Sequence, residues 1–419
     1  MAPIGVNLRD LTVLAGPNSA GKSTVVQPLL LIKQTIEKPF DPGGLAIDGP
    51  LVKFTSTDQF LSGSLRREGD DALKIALATD DHETELTYRK SADGILVPVE
   101  QHFTRGKEHV TWTPGQELTA AEAAGDDKKR QSFYNQLPNG PFRIVRILCW
   151  LAARGNISGT PAAVLEMPLK YTAGPAIKGI IGMIHLPGLR GNPERDYSIT
   201  AIGNEFPGAF TRYVASIVHF WGRTERPKLK KLADHLKKLN LTGNIGTRHL
   251  DDTRIEIRVG RLPVRARGGA DDTVSIADVG VGVSQILPVL VALLVANKDQ
   301  IVCIEQPEIH LHPRAQIALA EVILEAADRG VRVIIETHSS LLLLAIQSLV
   351  SEGKLAPERV SLNWFTRDAG GQTHVSEAVL AADGSYGDWP EDFGSVEMKL
   401  QNRYLDAASR HRASERNVA

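Results

Sequence analysis

Leu11-Thr12-Val13-Leu14-Ala15-Gly16-Pro17-Asn18-Ser19-Ala20-Gly21-Lys22-Ser23-Thr24 passes from a short apolar strand, through a glycine-bounded turn, into a helix expected over Lys22 to Glu37. The turn fits G-x-x-x-x-G-K-[ST] at each fixed position, in the strand–turn–helix setting that the pattern requires. The residue types follow from the chemistry. Gly16 and Gly21 let backbone N–H groups converge on phosphate oxygens where a side chain would obstruct them. Asn18, Ser19 and Ala20 span the loop between them. Lys22 places a point charge at the β- and γ-phosphates, Ser23 offers a hydroxyl to Mg²⁺, and Thr24 continues into a helix whose N-terminus favours an anion. A glycine-rich turn matching by chance is the rival reading, and the flanking elements disfavour it.

A loop of this kind needs a second strand that ends in a carboxylate facing the metal. Ile301-Val302-Cys303-Ile304-Glu305-Gln306-Pro307-Glu308 supplies one: four apolar residues, then Glu305 at the tip as the expected outer-sphere Mg²⁺ ligand. Ile309-His310-Leu311-His312-Pro313 leads on to a helix expected as far as Arg329, and a strand over Val331 to Ile335 then runs into Glu336-Thr337-His338-Ser339.

With Gly16 to Thr24, Glu305 to Pro313 and Glu336 to Ser339 in view, the chain resembles ABC-type ATPases of the SMC/RecF-like branch. More narrowly, it is similar to the bacterial "AAA family" ATPases of OLD-like and phage-defence operons. Asn18 and Ser19 fit that branch's GPNxxGKS/T loop, and Leu311-His312-Pro313 its D-loop variant. A weaker likeness extends over Gly182 to Tyr197. The resemblance implies that His338 contacts the γ-phosphate. It also implies an Asp-Glu pair at the acidic strand end, whereas this chain has Glu305-Gln306. An amide accepts no proton at neutral pH, so Gln306 is no general base, although it can orient a water. Glu308 is the alternative base if the turn at Pro307 brings it back. Slow hydrolysis with a long-lived ATP-bound state is the expectation.

The segment that would reach a partner subunit's nucleotide departs further from the family. Ile276 to Gln285 holds the right place, upstream of a helix expected over Ser284 to Ala296, but it lacks the Leu-Ser-Gly-Gly core. Asp278, Gly280, Gly282 and Ser284 are carried as its nucleotide-contacting residues, with an ordinary helix-entry turn as the rival. Arg223, Arg226, Lys228, Lys230, Lys231, Lys237 and Lys238 form the densest basic cluster. A solvated helix face is favoured there over a DNA-backbone surface. Arg190 and Arg195 flank a proline-rich turn, and packing of Trp389 and Phe393 onto the core is expected.

Composition bounds the rest. The chain has 419 residues, 48 Lys+Arg against 49 Asp+Glu, and two cysteines far apart in apolar stretches. That balance excludes a generally polybasic nucleic-acid coat, and the cysteine count excludes a disulfide framework. No signal-peptide core or membrane-length apolar run is visible, so a cytoplasmic location is expected. After His338 come 81 residues (419 − 338) without the metal constellation of a Toprim nuclease.

The sequence therefore predicts an α/β P-loop NTPase, an ABC-type ATPase head with a β-rich subdomain and a mixed, partly helical middle insertion. Residues 1–90 and 271–419 are expected to form the core, and 91–270 the insertion. Further expectations are a helix over Phe142 to Arg154 and a helix from Lys228 to Leu239. Two heads sandwiching ATP with Mg²⁺ would pass a conformational change to an effector, a nuclease or toxin, in DNA repair or phage defence. DNA stays open as a partner. The alternative is an ATP-locked scaffold with negligible turnover; a transporter ATPase is disfavoured.

Overall fold

In a computed structural model, residues 4–59, 72–80, 82–105, 108–119, 122, 142–156, 164–166, 174–261, 272–387 and 395–416 are described. The run that opened the sequence sits inside a six-stranded sheet. Its order is Ile184–Leu186, Ile301–Glu305, Arg332–Thr337, Leu11–Ala15, Val360–Arg367 and Thr373–Ala378. The first five strands are parallel, and the last turns back antiparallel on its neighbour. A parallel sheet covered on both faces reads as unbroken apolar runs, and all five residues of Leu11–Ala15 are buried.

Helices cover this sheet. Lys22–Ile36 leaves the phosphate loop, Val281–Val295 precedes the acidic strand, Pro313–Asp328 follows it, and Ser340–Ser351 follows the His338 turn. The first three lie within a few residues of their expected bounds. Pro313 begins its helix at the position where a missing N–H costs nothing, after the His312 ring accepts from the Arg314 amide. The amphipathic helix comes out as Arg226–Lys238, with Leu232, Leu236 and Leu239 buried as their spacing requires.

The middle of the chain is more β-rich than expected. Ala72–Ala78, Glu83–Lys90, Leu96–Arg105 and Glu108–Trp112 make one antiparallel sheet, which crosses residue 90. The helix expected over Phe142 to Arg154 is instead a hairpin of Phe142–Ile147 and Trp150–Asn156, turning at Leu148 with φ 54°. Long-range partners select it. The Tyr88 hydroxyl donates to the Cys149 carbonyl at 2.8 Å, and the Leu151 amide donates to Gln101 Oε1 at 3.0 Å. These contacts override local propensity, and no sequence window contains them. Strands Val360–Arg367 and Thr373–Ala378, absent from the sequence reading, extend the core sheet. Trp389 and Phe393 lie outside the described residues.

Candidate functional site

The carboxyl ends of the parallel strands gather the expected residues along one edge, the position where open α/β sheets bind ligands. Register brings Ala15 beside Thr337, and Glu305 beside Glu336. The Arg332–Thr337 strand thus lies between the phosphate-loop strand and the acidic strand.

The loop has a shape that only glycine permits at its two fixed ends. Gly16 has φ 143°, and a Cβ there would stand 2.3 Å from the Phe365 carbonyl oxygen. Gly21 has φ 97°, and its Cβ would meet Thr373 Oγ1 at 2.8 Å. The hairpin that crowds these glycines also holds the loop: Thr373 Oγ1 donates to the Ala20 carbonyl at 3.1 Å, and Arg367 donates to the Ser19 carbonyl at 3.3 Å. Ser19 is itself left-handed, at φ 61°. Asn18 and Ser19 are exposed on the loop and Thr24 on the first helical turn, whereas Ala20 is buried. No side chain caps the Lys22–Ile36 helix and no acid lies in its first turn, so its leading amides stay available to an anion.

Lys22 is 4% exposed and donates to the Gly16 and Pro17 carbonyls at 3.1 and 2.8 Å. Burial lowers its pKa, with Glu336 pulling the other way. Ser23 Oγ donates to Glu336 Oε2 at 2.7 Å, and Glu336 Oε1 is 4.0 Å from Lys22 Nζ. Burial raises the Glu336 pKa; the Ser23 bond and the Lys22 charge oppose that rise, while Glu305 and Glu308 add to it. His338 reaches a Gly16 backbone group, and burial and then Lys22 lower its pKa.

The carboxylate paired with Ser23 is therefore not Glu305, the one assigned to the metal from sequence. Glu305 Oε1 meets His185 Nε2 at 3.0 Å, and Oε2 accepts from the Gly188 amide at 3.0 Å. Burial would raise its pKa, but His185, the Gly188 N–H and Arg190 outweigh that and lower it. Arg190 donates to the Glu305 carbonyl at 2.5 Å, the Gln306 carbonyl at 3.2 Å and the Gln285 carbonyl at 3.4 Å. Burial brings the Arg190 pKa down to about 10. Residues 185–191 thus form a strap across the acidic strand end, tied to the Val281–Val295 helix by Gln285 Nε2 on the Gly191 carbonyl at 2.6 Å.

Beyond the strand the chain turns sharply. Gln306 has φ 44°, and its amide donates to the Glu336 carbonyl at 2.7 Å. That turn brings Glu308 back. Its side chain is 8% exposed, and Oε1 accepts from Thr337 Oγ1 at 2.7 Å and from the His338 amide at 3.0 Å. Oε2 is buried without a hydrogen-bond partner among the described residues.

The signature-like residues stand apart from this constellation. Asp278 is paired with Arg195 at 2.8 Å, and Ser284 Oγ donates to the Val281 carbonyl at 2.9 Å. Gly280 is the exposed N-cap of the helix, and a Cβ on Gly282 would meet the His310 carbonyl oxygen at 3.1 Å. Among the described residues, no hydrogen bond joins these four to the same chain's phosphate loop. The basic cluster is partly neutralised: Lys228 pairs with Glu225, Lys231 with Glu325, and Lys238 with Glu321 and Glu325.

Sequence reading missed His185, quoted Gln285 and Glu336 without giving them a role, and placed Arg190 only beside a proline-rich turn. The one available signal was a histidine and a glutamate in otherwise apolar strand runs. Their partners are 120 and 313 residues away.

Residues 193–345 match the family described as "AAA domain, putative AbiEii toxin, Type IV TA system". The match spans a little over a third of the chain. No curated protein matches in sequence. Among solved structures, an SMC head bound to the C-terminal winged-helix domain of ScpA is 11% identical, covering 90% of this chain and 92% of its own, at a TM-score of 0.38. The SMC head domain of Thermotoga maritima is 10% identical, covering 89% and 92%, at 0.32. A Pyrococcus furiosus Smc head bound to the C-terminal domain of ScpA is 11% identical, covering 88% and 90%, at 0.38. Overlaps this shallow leave the assignment resting on the strand order, the loop and the family match. On those grounds the chain has a P-loop-type α/β fold and is similar, over residues 193–345, to that AAA family. Among the described residues, no helix is long and apolar enough to cross a membrane.

Proposed function

We propose that this chain binds and hydrolyses ATP with Mg²⁺, dimerises around the nucleotide, and signals to an effector protein. The observation that carries the reading is the cradle itself. Lys22 is buried behind a loop whose ends admit no Cβ, and next to it a serine hydroxyl meets a carboxylate. These groups fit a triphosphate and its cation: amides and an ammonium for the anion, and a hydroxyl with acids for the metal. Ser23, with one of the two strand-end carboxylates, Glu305 or Glu336, would hold the Mg²⁺. When bound, the ion would neutralise charge on the phosphates.

The chain's own residues divide the remaining work. Lys22 would leave the loop carbonyls for phosphate oxygens, and His338, tied to Gly16, would report on the γ-phosphate. Glu308 is fixed through Oε1 and keeps Oε2 free, which suits a proton acceptor for the attacking water. Gln306 then orients that water or stands aside. This shifts the balance from a missing base toward a base two residues downstream. Gly280, Gly282, Ser284 and Asp278 are the residues we assign to the second protomer's nucleotide.

Replacing Lys22 tests the cradle. Lys22→Ala should weaken equilibrium binding of a labelled ATP analogue by at least about 10²-fold; unchanged affinity would sink the reading. ATP-dependent light scattering tests dimerisation, and a strictly monomeric ATP-bound protein would end the sandwich. A second reading, an ATP-locked scaffold, is favoured by the amide at Gln306. Phosphate release separates the two. Turnover that collapses in Glu308→Gln identifies the base, whereas a near-silent wild type that gains activity in Gln306→Glu supports the scaffold.

The family description supports a toxin–antitoxin or defence setting, with a nuclease or toxin as effector. Support for DNA on the basic cluster has weakened, because three of its lysines face glutamates. Arg223, Arg226, Lys230 and Lys237 remain as that surface's candidates.

A further inference from the structure

Two glutamates end adjacent strands in register, and both are candidates for the same cation. We propose that Glu336, and not Glu305, supplies the carboxylate that acts with Ser23 on the nucleotide's divalent cation. This rests on the ATP–Mg²⁺ reading above and deepens it.

Three independent observations converge. First, the contact exists. Ser23 Oγ and Glu336 Oε2 are 2.7 Å apart, with Lys22 Nζ 4.0 Å from the other carboxylate oxygen, so hydroxyl, carboxylate and phosphate-binding ammonium already form one cluster.

Second, Glu305 is committed elsewhere. Both its oxygens are used, on His185 and on the Gly188 amide. The His185 side chain is 4% exposed, and turning Glu305 toward the loop would strip a buried ring and a strap amide of their partner. Arg190 fixes the backbone beneath it through the Glu305 and Gln306 carbonyls.

Third, the charges around the loop do not balance. Glu305 and Glu308 both act on Glu336, which has Lys22 on the loop side, while Glu305 and Glu308 face Arg190 on the strap side. The surplus negative charge includes Glu308 Oε2, buried without a hydrogen-bond partner among the described residues. Glu336 has Lys22 as its nearby cation on the loop side, and a divalent ion there would add to that compensation. Glu305 already has its compensation in the strap.

The experiment measures affinity for a fluorescent ATP analogue in EDTA and across a Mg²⁺ titration, for wild type, Glu336→Gln, Glu336→Asp and Glu305→Gln. No turnover is needed. Glu336→Gln should bind the analogue in EDTA at least as tightly as wild type, because a negative charge beside the phosphates is removed, and this reports an intact loop. Its Mg²⁺-dependent tightening should fall by about 10–100-fold in apparent metal affinity. Glu336→Asp restores the charge one methylene short and should recover part of that response. Glu305→Gln should keep its metal response within about 3-fold, well inside the loss that removing a metal-orienting group brings. An equal or larger loss in Glu305→Gln overturns the assignment, as does a full Mg²⁺ response in Glu336→Gln. A wild type that binds no analogue overturns the ATP reading itself, and is told apart by the EDTA arm.

Discussion

At the end of the Ile301–Glu305 strand the carboxylate turns outward, to His185 and the Gly188 amide. One strand over, in register with it, Glu336 turns inward to Ser23 and Lys22. The residue type, strand direction and depth in the sheet are shared, so the difference comes from what each side of the edge offers. The strap side presents a buried imidazole, an amide and a guanidinium, which together lower the Glu305 pKa. The loop side presents a hydroxyl and an ammonium 4.0 Å away, and burial, with Glu305 and Glu308 nearby, raises the Glu336 pKa against them. One acid is spent on structure, and the other is left short of positive charge.

Substitutions should separate the two sides, beginning with the loop. Gly16→Ala places a Cβ against the Phe365 carbonyl in a conformation that L-residues avoid. It should cost about 3–5 kcal/mol in urea unfolding and abolish analogue binding. An alanine tolerated within 1 kcal/mol would mean that the loop relaxes freely, an outcome contrary to strain of order 1–3 kcal/mol.

Next comes the direct contrast. Glu305→Ala leaves His185 and the Gly188 amide without their acceptor, and should destabilise by about 2–3 kcal/mol. Glu336→Gln keeps an acceptor for Ser23 and removes a poorly compensated charge, so its stability should stay within about 1 kcal/mol of wild type. If the two cost the same, the division between structural and functional acid disappears.

Arg190→Lys should fall below Glu305→Ala, at about 1–2 kcal/mol. A single ammonium cannot span the Glu305, Gln306 and Gln285 carbonyls, and at least one is left unpaired. A lysine variant as stable as wild type would reduce the strap to packing alone.

The smallest effect calibrates the others on an acid outside the site. Glu325 bonds Lys231, His235 and Lys238 across the helix seam. Burial would raise its pKa, but Lys231 and His235 hold it down to about 2. Burial, with Lys231 and Lys238, lowers that of His235 against the pull of Glu325. Both folded values lie below the unfolded ones of 4.5 and 6.5, so the unfolded chain takes up more protons on acidification. Stability is therefore present above pH 6.5, begins to fall below it as His235 is called on to charge, and falls again between 4.5 and about 2. Glu325→Ala should flatten the lower window in urea titrations. The loss should be on the order of 1 kcal/mol, because the pair is partly exposed.

The nucleotide cradle was legible because its chemistry is local. Gly16, Gly21, Lys22 and Ser23 lie within eight residues, and each has a task that no other residue type performs as well. Strand-end acids and the His338 turn were legible for a related reason: buried parallel strands announce themselves as apolar runs, and whatever polar residue follows must sit at the sheet edge. The Phe142–Asn156 hairpin was not legible, since a run of apolar residues and arginines fits helix or strand until Tyr88 and Gln101 supply partners.

Sequence alone determined that this chain carries a G-x-x-x-x-G-K-[ST] loop between strand and helix, a strand that ends in an acid, and a strand that runs into a histidine. Only the tertiary structure decided which glutamate faces the loop. That choice depends on a register between strands 31 residues apart and on a strap contributed from residues 185–191. A carboxylate's orientation is set by the donors around it, and these donors come from two distant stretches of chain, residues 22–23 and 185–190.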